Sequence, residues 1–222
     1  MPPSPIRIPM ARITGLVPDP KRPGAVRVLV DGRAFCTVHE DVITAGTLAV
    51  GAEWEVERAS VAGQAADEEG AWRALLRALE QRNFAVVELR RRLRQKGHTP
   101  EAIEFAIGRA LATRLLDDRA FAQRFVESRA ARGRGPSRLR RDLAALGVDR
   151  AHIDSALAAH WPEPDAALDL ALDLARRRAR QLASLPREVQ RRRLLAYLER
   201  RGFSGHRVSE LVTRVLRGEP ES

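Results

Sequence analysis

From Ala71 onward, large apolar residues recur at fixed distances from three glycines. Taking Gly97, Gly147 and Gly202 as zero, Leu89, Leu139 or Leu194 stands eight residues earlier, and Leu93, Leu143 or Leu198 four earlier. Ile103, Ile153 or Val208 follows six later, Ile107, Leu157 or Val212 ten later, and Leu111, Trp161 or Leu216 fourteen later. Leucines four apart share one helical face, and the glycine suits the left-handed residue that ends the helix. Thr99, Asp149 or Ser204 then offers an N-cap for the next helix, with Pro100 placed at a first helical position. A further apolar-faced segment precedes each pair: Trp72, Leu75, Leu76 and Leu79; Phe121, Phe125 and Val126; Leu168, Leu172 and Ala175. The pattern predicts nine helices in three tandem three-helix repeats, over 71–115, 116–162 and 163–218. Repeats of this kind bury their faces against neighbours, so the expected fold is mainly α, an elongated curved solenoid.

The N-terminal part reads differently. Residues 1–10 hold four prolines and are expected to form a flexible tail. Over 11–60 the pattern predicts a small β-rich module. Val26, Val28 and Val30 alternate, Asp31-Gly32 follows, and Arg33 to Val38 answers, which is a hairpin signal. A two-residue turn would place Val30 opposite Arg33, Val28 opposite Phe35, Val26 opposite Thr37 and Cys36 opposite Arg27. Asp41, Val42 and Ile43 start a short helix in this reading, and Trp54 to Val56 forms another strand. The small, acidic stretch 61–70 is expected to be a linker.

Charge divides the chain in the same place. Residues 1–69 carry 7 Lys/Arg against 10 Asp/Glu, whereas residues 70–222 carry 32 against 19. A basic helical part points to a polyanionic partner, although an Arg-rich solvated surface would look the same. Met1 to Met10 has no signal-peptide apolar region, and no uncharged apolar run reaches membrane-spanning length. The single cysteine, Cys36, excludes an internal disulfide and a Cys-based zinc site. These features lead us to expect a cytoplasmic monomer with no membrane contact, no metal and no cofactor.

No residue set suggests catalysis. Asp117-Asp118 precedes Phe121 and Phe125, where acidic residues cap a helix start. Gly133-Arg134-Gly135-Pro136 could cradle an anion, but a C-cap glycine followed by Pro at a first helical position explains it as a structural turn. His39, His98, His152, His160 and His206 form no ligand spacing and are expected at surfaces or caps. Cys36 has no evident base and is expected to be a small core or edge residue. No Walker or dinucleotide fingerprint occurs.

The arginines are the remaining candidates. Arg90, Arg91, Arg92, Arg94 and Lys96 lie on the second helix of the first repeat. Arg132 and Arg134 flank the Gly133 turn, and Arg138, Arg140 and Arg141 lie on the equivalent helix of the second repeat. Arg176, Arg177 and Arg180 end the next helix, and Arg191, Arg192 and Arg193 begin the one after. With the register leucines turned inward, most of these arginines must face out. Guanidinium groups suit bidentate phosphate contact.

Four segments carry a family likeness: R-N-F-A-V-V-E-L-R-R-R-L-R-Q-K-G (82–97), L-L-D-D-R-A-F-A-Q-R-F-V (115–126), G-R-G-P-S-R-L-R-R-D-L-A-A-L-G (133–147) and Y-L-E-R-R-G-F-S (197–204). In this order and spacing the chain resembles the RecX regulatory proteins over residues 71–218. The hairpin region resembles, less closely, an N-terminal extension of longer members. Two positions depart from the family pattern: Ala85 stands where a capping Ser is usual, and Arg114 where a Gly is usual. The resemblance implies no chemistry of its own. It implies binding to the RecA–single-stranded DNA filament, with suppression of its ATPase, strand-exchange and co-protease activities in recombination and the SOS response. Contact with single-stranded DNA would be sequence-independent and salt-sensitive. The alternative is a free-standing DNA-binding protein, because the Leu-Gly-Ile spacing mimics a helix-turn-helix. A nuclease is a third class, disfavoured by the lack of a carboxylate or histidine constellation.

Overall fold

The computed structural model describes residues 11–163 and 165–218; the tail expected over 1–10 lies outside the described residues. The chain divides into two compact units. One holds residues up to Phe84 together with Leu89–Leu116, and the other holds Ala85–Glu88 together with the chain from Asp117 on.

In the first unit, β1 (Ile13–Pro18), β2 (Ala25–Val30) and β3 (Arg33–His39) form an antiparallel sheet in the order β1-β2-β3. The turn falls at Asp31-Gly32, where φ values of 48° and 76° suit a primed hairpin turn. Val30 faces Arg33 as expected, but a bulge then shifts the register, so Val28 faces Cys36, Val26 faces Val38 and Arg27 faces Thr37. The extra residue is Phe35, which turns outward and meets the Trp54 ring edge-on at 4.8 Å. The bulge lets Val38 join Val28 in the core, both fully buried. Burial pushes the half-buried Cys36 thiol pKa up, which disfavours the reactive thiolate. The strand expected at Trp54–Val56 does not form: Glu53 makes one bridge to Arg12, and Val56 opens a helix.

After α1 (Glu40–Thr44), helix α2 (Val56–Gln81) runs without a break through residues 61–70, expected to be a linker. The stretch is alanine-rich, and alanine is the best helix former. Ala62 and Ala65 are buried in the cluster that holds Val28 and Val38. Farther along, Ala71, Ala74, Leu75 and Ala78 are buried as well. One helix thus serves both the sheet and the first repeat, whose other members are α3 (Val86–Gln95) and α4 (Pro100–Ala112).

Asp67 fastens α2 to the turn between α3 and α4. One carboxylate oxygen lies 2.6 Å from His98 Nδ1; the other accepts from the Thr99 N–H at 2.9 Å and the Thr99 hydroxyl at 2.7 Å. Burial alone would raise the Asp67 pKa, but these bonds outweigh it and hold the carboxyl below its ordinary value. A depressed pKa contributes stability that is fully present above the unfolded value and lost as pH falls through the folded one. Asp67→Asn is expected to destabilise the protein by about 1–2 kcal/mol near neutrality. The deficit should shrink below roughly pH 4, which denaturant unfolding across pH would detect.

The second unit holds α5 (Asp118–Ala130), α6 (Pro136–Ala145), α7 (Arg150–His160), α8 (Ala166–Gln181), α9 (Arg187–Arg201) and α10 (His206–Arg217). Its cores are built on the predicted register: Leu139, Leu143, Ile153 and Leu157 in one cluster, and Leu194, Leu198, Val208 and Val212 in the other. The fifth register position is the exception, because Leu111 in α4 is 45% exposed. Gly97, Gly147 and Gly202 all have left-handed φ. Thr99, Asp149 and Asp117 cap their helices, but Ser204 does not, and Gly205 takes the N-cap of α10. Asp118 answers the missing serine at position 85: its carboxylate accepts the Val86 N–H at 2.9 Å. At the other departure, Arg114 adopts φ 57°, the conformation that a glycine would take without strain.

Candidate nucleic-acid interface

Several predicted arginines are held within the fold. Arg90 makes a two-pronged contact with Glu104, at 2.8 Å for each prong. Arg140 meets Asp154 at 2.9 Å, and both pairs join residues seven before and seven after the repeat glycine. They clamp the second helix of each repeat to its third. Arg140, and then Arg150, hold the Asp154 carboxyl below its ordinary pKa. The third repeat replaces the pair with Leu195 and Ser209. Arg134 and Arg138 share Asp142 at 2.6 and 2.9 Å. Arg92 is half-buried with its guanidinium 5.6 Å from the Phe84 ring. Arg141 stays exposed but donates to the Ser137 carbonyl. Arg91 and Arg94 are exposed on α3, Lys96 in the turn that follows it, and Arg176, Arg180, Arg191, Arg192 and Arg193 on α8 and α9.

The Gly133–Pro136 segment is a structural turn rather than an anion cradle. Gly133 closes α5 at φ 77°, and Pro136 begins α6. The Gly135 N–H donates to the Arg201 carbonyl at 2.7 Å and the Ser137 N–H to the Gly202 carbonyl at 3.3 Å, so the end of α9 occupies the start of α6.

Beside this junction lies a cleft of about 540 Å³. Arg132, Arg177, Arg178, Arg201 and Tyr197 supply its polar lining, with Gln181, and among the described residues no carboxylate borders it. Arg201 donates to the Arg132 carbonyl at 2.8 Å. The guanidinium groups of Arg178 and Arg201 lie 5.7 and 5.2 Å from the centre of the Tyr197 ring. Arg177 and Arg132, both predicted, therefore border the same cleft. Arg201 and Tyr197 were missed because only the docking of α9 on the Gly133 turn brings them there. Among the described residues none of Arg132, Arg177, Arg178 and Arg201 is in an ion pair, and guanidinium groups gathered in this way suit closely spaced phosphates. Among the described residues, no group of three or more His, Cys, Asp or Glu stands close enough to hold a metal, and no helix is long and apolar enough to cross a membrane.

Comparison with known proteins gives this architecture its place. The description "RecX, second three-helix domain" matches residues 117–157, and "RecX, third three-helix domain" matches 165–212. Regulatory protein RecX of Pseudomonas fluorescens is 37% identical over 150 residues, which is 66% of this chain and 89% of that protein. The chain belongs to the RecX family. Regulatory protein RecX of Pseudomonas entomophila is likewise 37% identical, over 147 residues, again 66% of this chain and 89% of its relative. Among solved structures, a crystal structure of regulatory protein RecX covers 92% of this chain and 99% of its own, with a TM-score of 0.75 at 23% identity. RecX from Lactobacillus salivarius covers 68% and 97%, with a TM-score of 0.59 at 18% identity. At those identities the likeness concerns the RecX fold alone. The three-helix repeats behind an N-terminal sheet are thus the RecX architecture.

Proposed function

We propose that this RecX-family protein regulates the RecA–single-stranded DNA filament without turnover of its own, and that the cleft around Arg132, Arg177, Arg178 and Arg201 contacts the DNA phosphates. The observation that carries the DNA contact is the convergence of four arginines on one cleft that no carboxylate borders among the described residues. The family supplies the regulatory role. No chemical step is required: a protein that binds one state of the filament better than another shifts its population and hence its ATPase. The exposed Arg191, Arg192 and Arg193 add long-range attraction to a polyanion. A free-standing DNA-binding protein fits less well. The helices that would read bases in a helix-turn-helix, α4, α7 and α10, each bury an apolar face inside their own repeat.

Co-sedimentation separates the two. Mixed with cognate RecA, single-stranded DNA and a slowly hydrolysed ATP analogue, the protein is expected to pellet with the filament at salt that releases it from DNA alone. Equal retention by naked DNA and by filaments would favour the alternative and end the filament reading.

A further inference from the structure

An open groove of about 640 Å³ lies beside α10 within the second unit. Arg191 of α9 and Arg207, Arg214 and Arg217 of α10 border it. Repeat packing does not call for these arginines. Where the third repeat has Arg191, the others have Val86 and Pro136; where it has Arg207, they have Ala102 and His152; where it has Arg217, they have Ala112 and Pro162. Arg214 has a basic counterpart in Arg109, but that guanidinium lies 4.6 Å over the Trp72 ring, whereas Arg214 is exposed. Ser209 also borders the groove, at the position where Glu104 and Asp154 each hold an arginine. Among the described residues Arg191 and Arg214 are in no ion pair, while Arg207 is engaged by Asp165 and His206 by Glu210. Arg187 ties the two flanking helices together, donating to the Leu216 carbonyl at 2.7 Å. An apolar pocket of about 270 Å³ adjoins the groove, and Leu168, His206 and Arg207 border both. Ala167, Phe203 and Val208 line the pocket, and Ser137 and Ser204, both exposed, supply hydroxyls.

We propose that groove and pocket together bind an acidic peptide segment of a protein partner, with one large apolar side chain in the pocket and carboxylates on Arg191 and Arg214. Charge complementarity sets the sign of the partner, and a guanidinium pairs with a carboxylate through two parallel hydrogen bonds. Glu210, which borders the groove, selects a peptide over nucleic acid. A phosphodiester strand carries a charge at every step and would bring phosphate against that carboxylate. A peptide places its acids only where its sequence puts them, so it can meet the two unpaired arginines and set a neutral residue beside Glu210. The cleft around Arg132 and Arg177 is the opposite case, with no carboxylate at its border among the described residues. The adjoining pocket agrees with a peptide, because protein interfaces seat an apolar anchor in a pocket behind a polar rim. One anchor and two charge pairs make a small contact, so the affinity is modest.

The test uses the full chain and a fluorescein-labelled peptide of Glu and Asp residues with one central leucine. Anisotropy at low salt is expected to give a Kd of about 10–100 μM. Alanine in place of the peptide's leucine should weaken binding about fivefold. Arg191→Glu/Arg214→Glu should weaken it about tenfold; both positions are exposed, and circular dichroism checks that the variant is folded. In methyl NMR spectra the peptide should shift the Leu168 and Val208 signals. No binding, equal binding of the leucine and alanine peptides, or binding indifferent to the double reversal would each overturn the proposal. A single-stranded oligonucleotide that shifts the Leu168 and Val208 methyls as strongly as the peptide does would assign the groove to nucleic acid and overturn it equally. These measurements need no RecA, so their outcome is independent of the proposed function.

Discussion

Gly202→Ala is expected to destabilise the second unit by more than about 3 kcal/mol, while Gly97→Ala, the same position in the first repeat, costs about 1 kcal/mol. Both glycines have left-handed φ, 97° and 87°, and both substitutions bear that conformational strain. They differ in what surrounds the new methyl group. At Gly97 it meets nothing within 4 Å, whereas at Gly202 it runs into the backbone nitrogen and Cβ of Arg138. The carbonyls of Arg201 and Gly202 also accept the N–H groups that begin α6. Displacing them strands the N–H of buried Gly135, at about 1–3 kcal/mol. Thermal unfolding should separate the variants by several degrees. Equal losses would show that the junction between α6 and α9 is not the close backbone contact described above.

The double charge reversal Arg132→Glu/Arg177→Glu is expected to weaken binding to single-stranded DNA by about 100-fold at low salt. The slope of log affinity against log salt should fall by about 0.7 for each phosphate that is no longer neutralised. Both residues border the carboxylate-free cleft. Arg140→Ala makes the comparison, since Arg140 already spends its charge on Asp154; its effect should stay under about threefold. Fluorescence anisotropy with a labelled oligonucleotide reads both. A similar loss from Arg140→Ala would mean that net charge, not the cleft, governs binding.

The repeat was legible in the sequence because its physics is local and repeated. Leucines four apart, a glycine in left-handed conformation and a capping residue recur three times, and agreement among copies identified core positions that a single copy would leave ambiguous. The misreadings fell where a partner outside the local pattern decides the outcome. Residues 61–70 looked like a linker because alanines have no large apolar side chain, yet burial of Ala62 and Ala65 makes them helix. The hairpin turn was readable from Asp31-Gly32, whereas the bulge at Phe35 depends on Trp54, nineteen residues away. The basic surface was readable only as a set of arginines. Spacing says which ones face out, but not that Glu104, Asp142 and Asp154 hold Arg90, Arg134, Arg138 and Arg140. Nor does it say that Arg132 and Arg177 share a cleft with Arg201, because that requires α9 to dock on the Gly133 turn.

ATP hydrolysis by the cognate RecA on single-stranded DNA bears most directly on the regulatory role and on the cleft together. The full-length protein, titrated from well below the RecA concentration, is expected to lower the steady rate, while the Arg132→Glu/Arg177→Glu protein at the same concentrations leaves it near its starting value. An unchanged rate with equimolar full-length protein would contradict the filament role, and equal suppression by the charge-reversed protein would contradict the part assigned to the cleft.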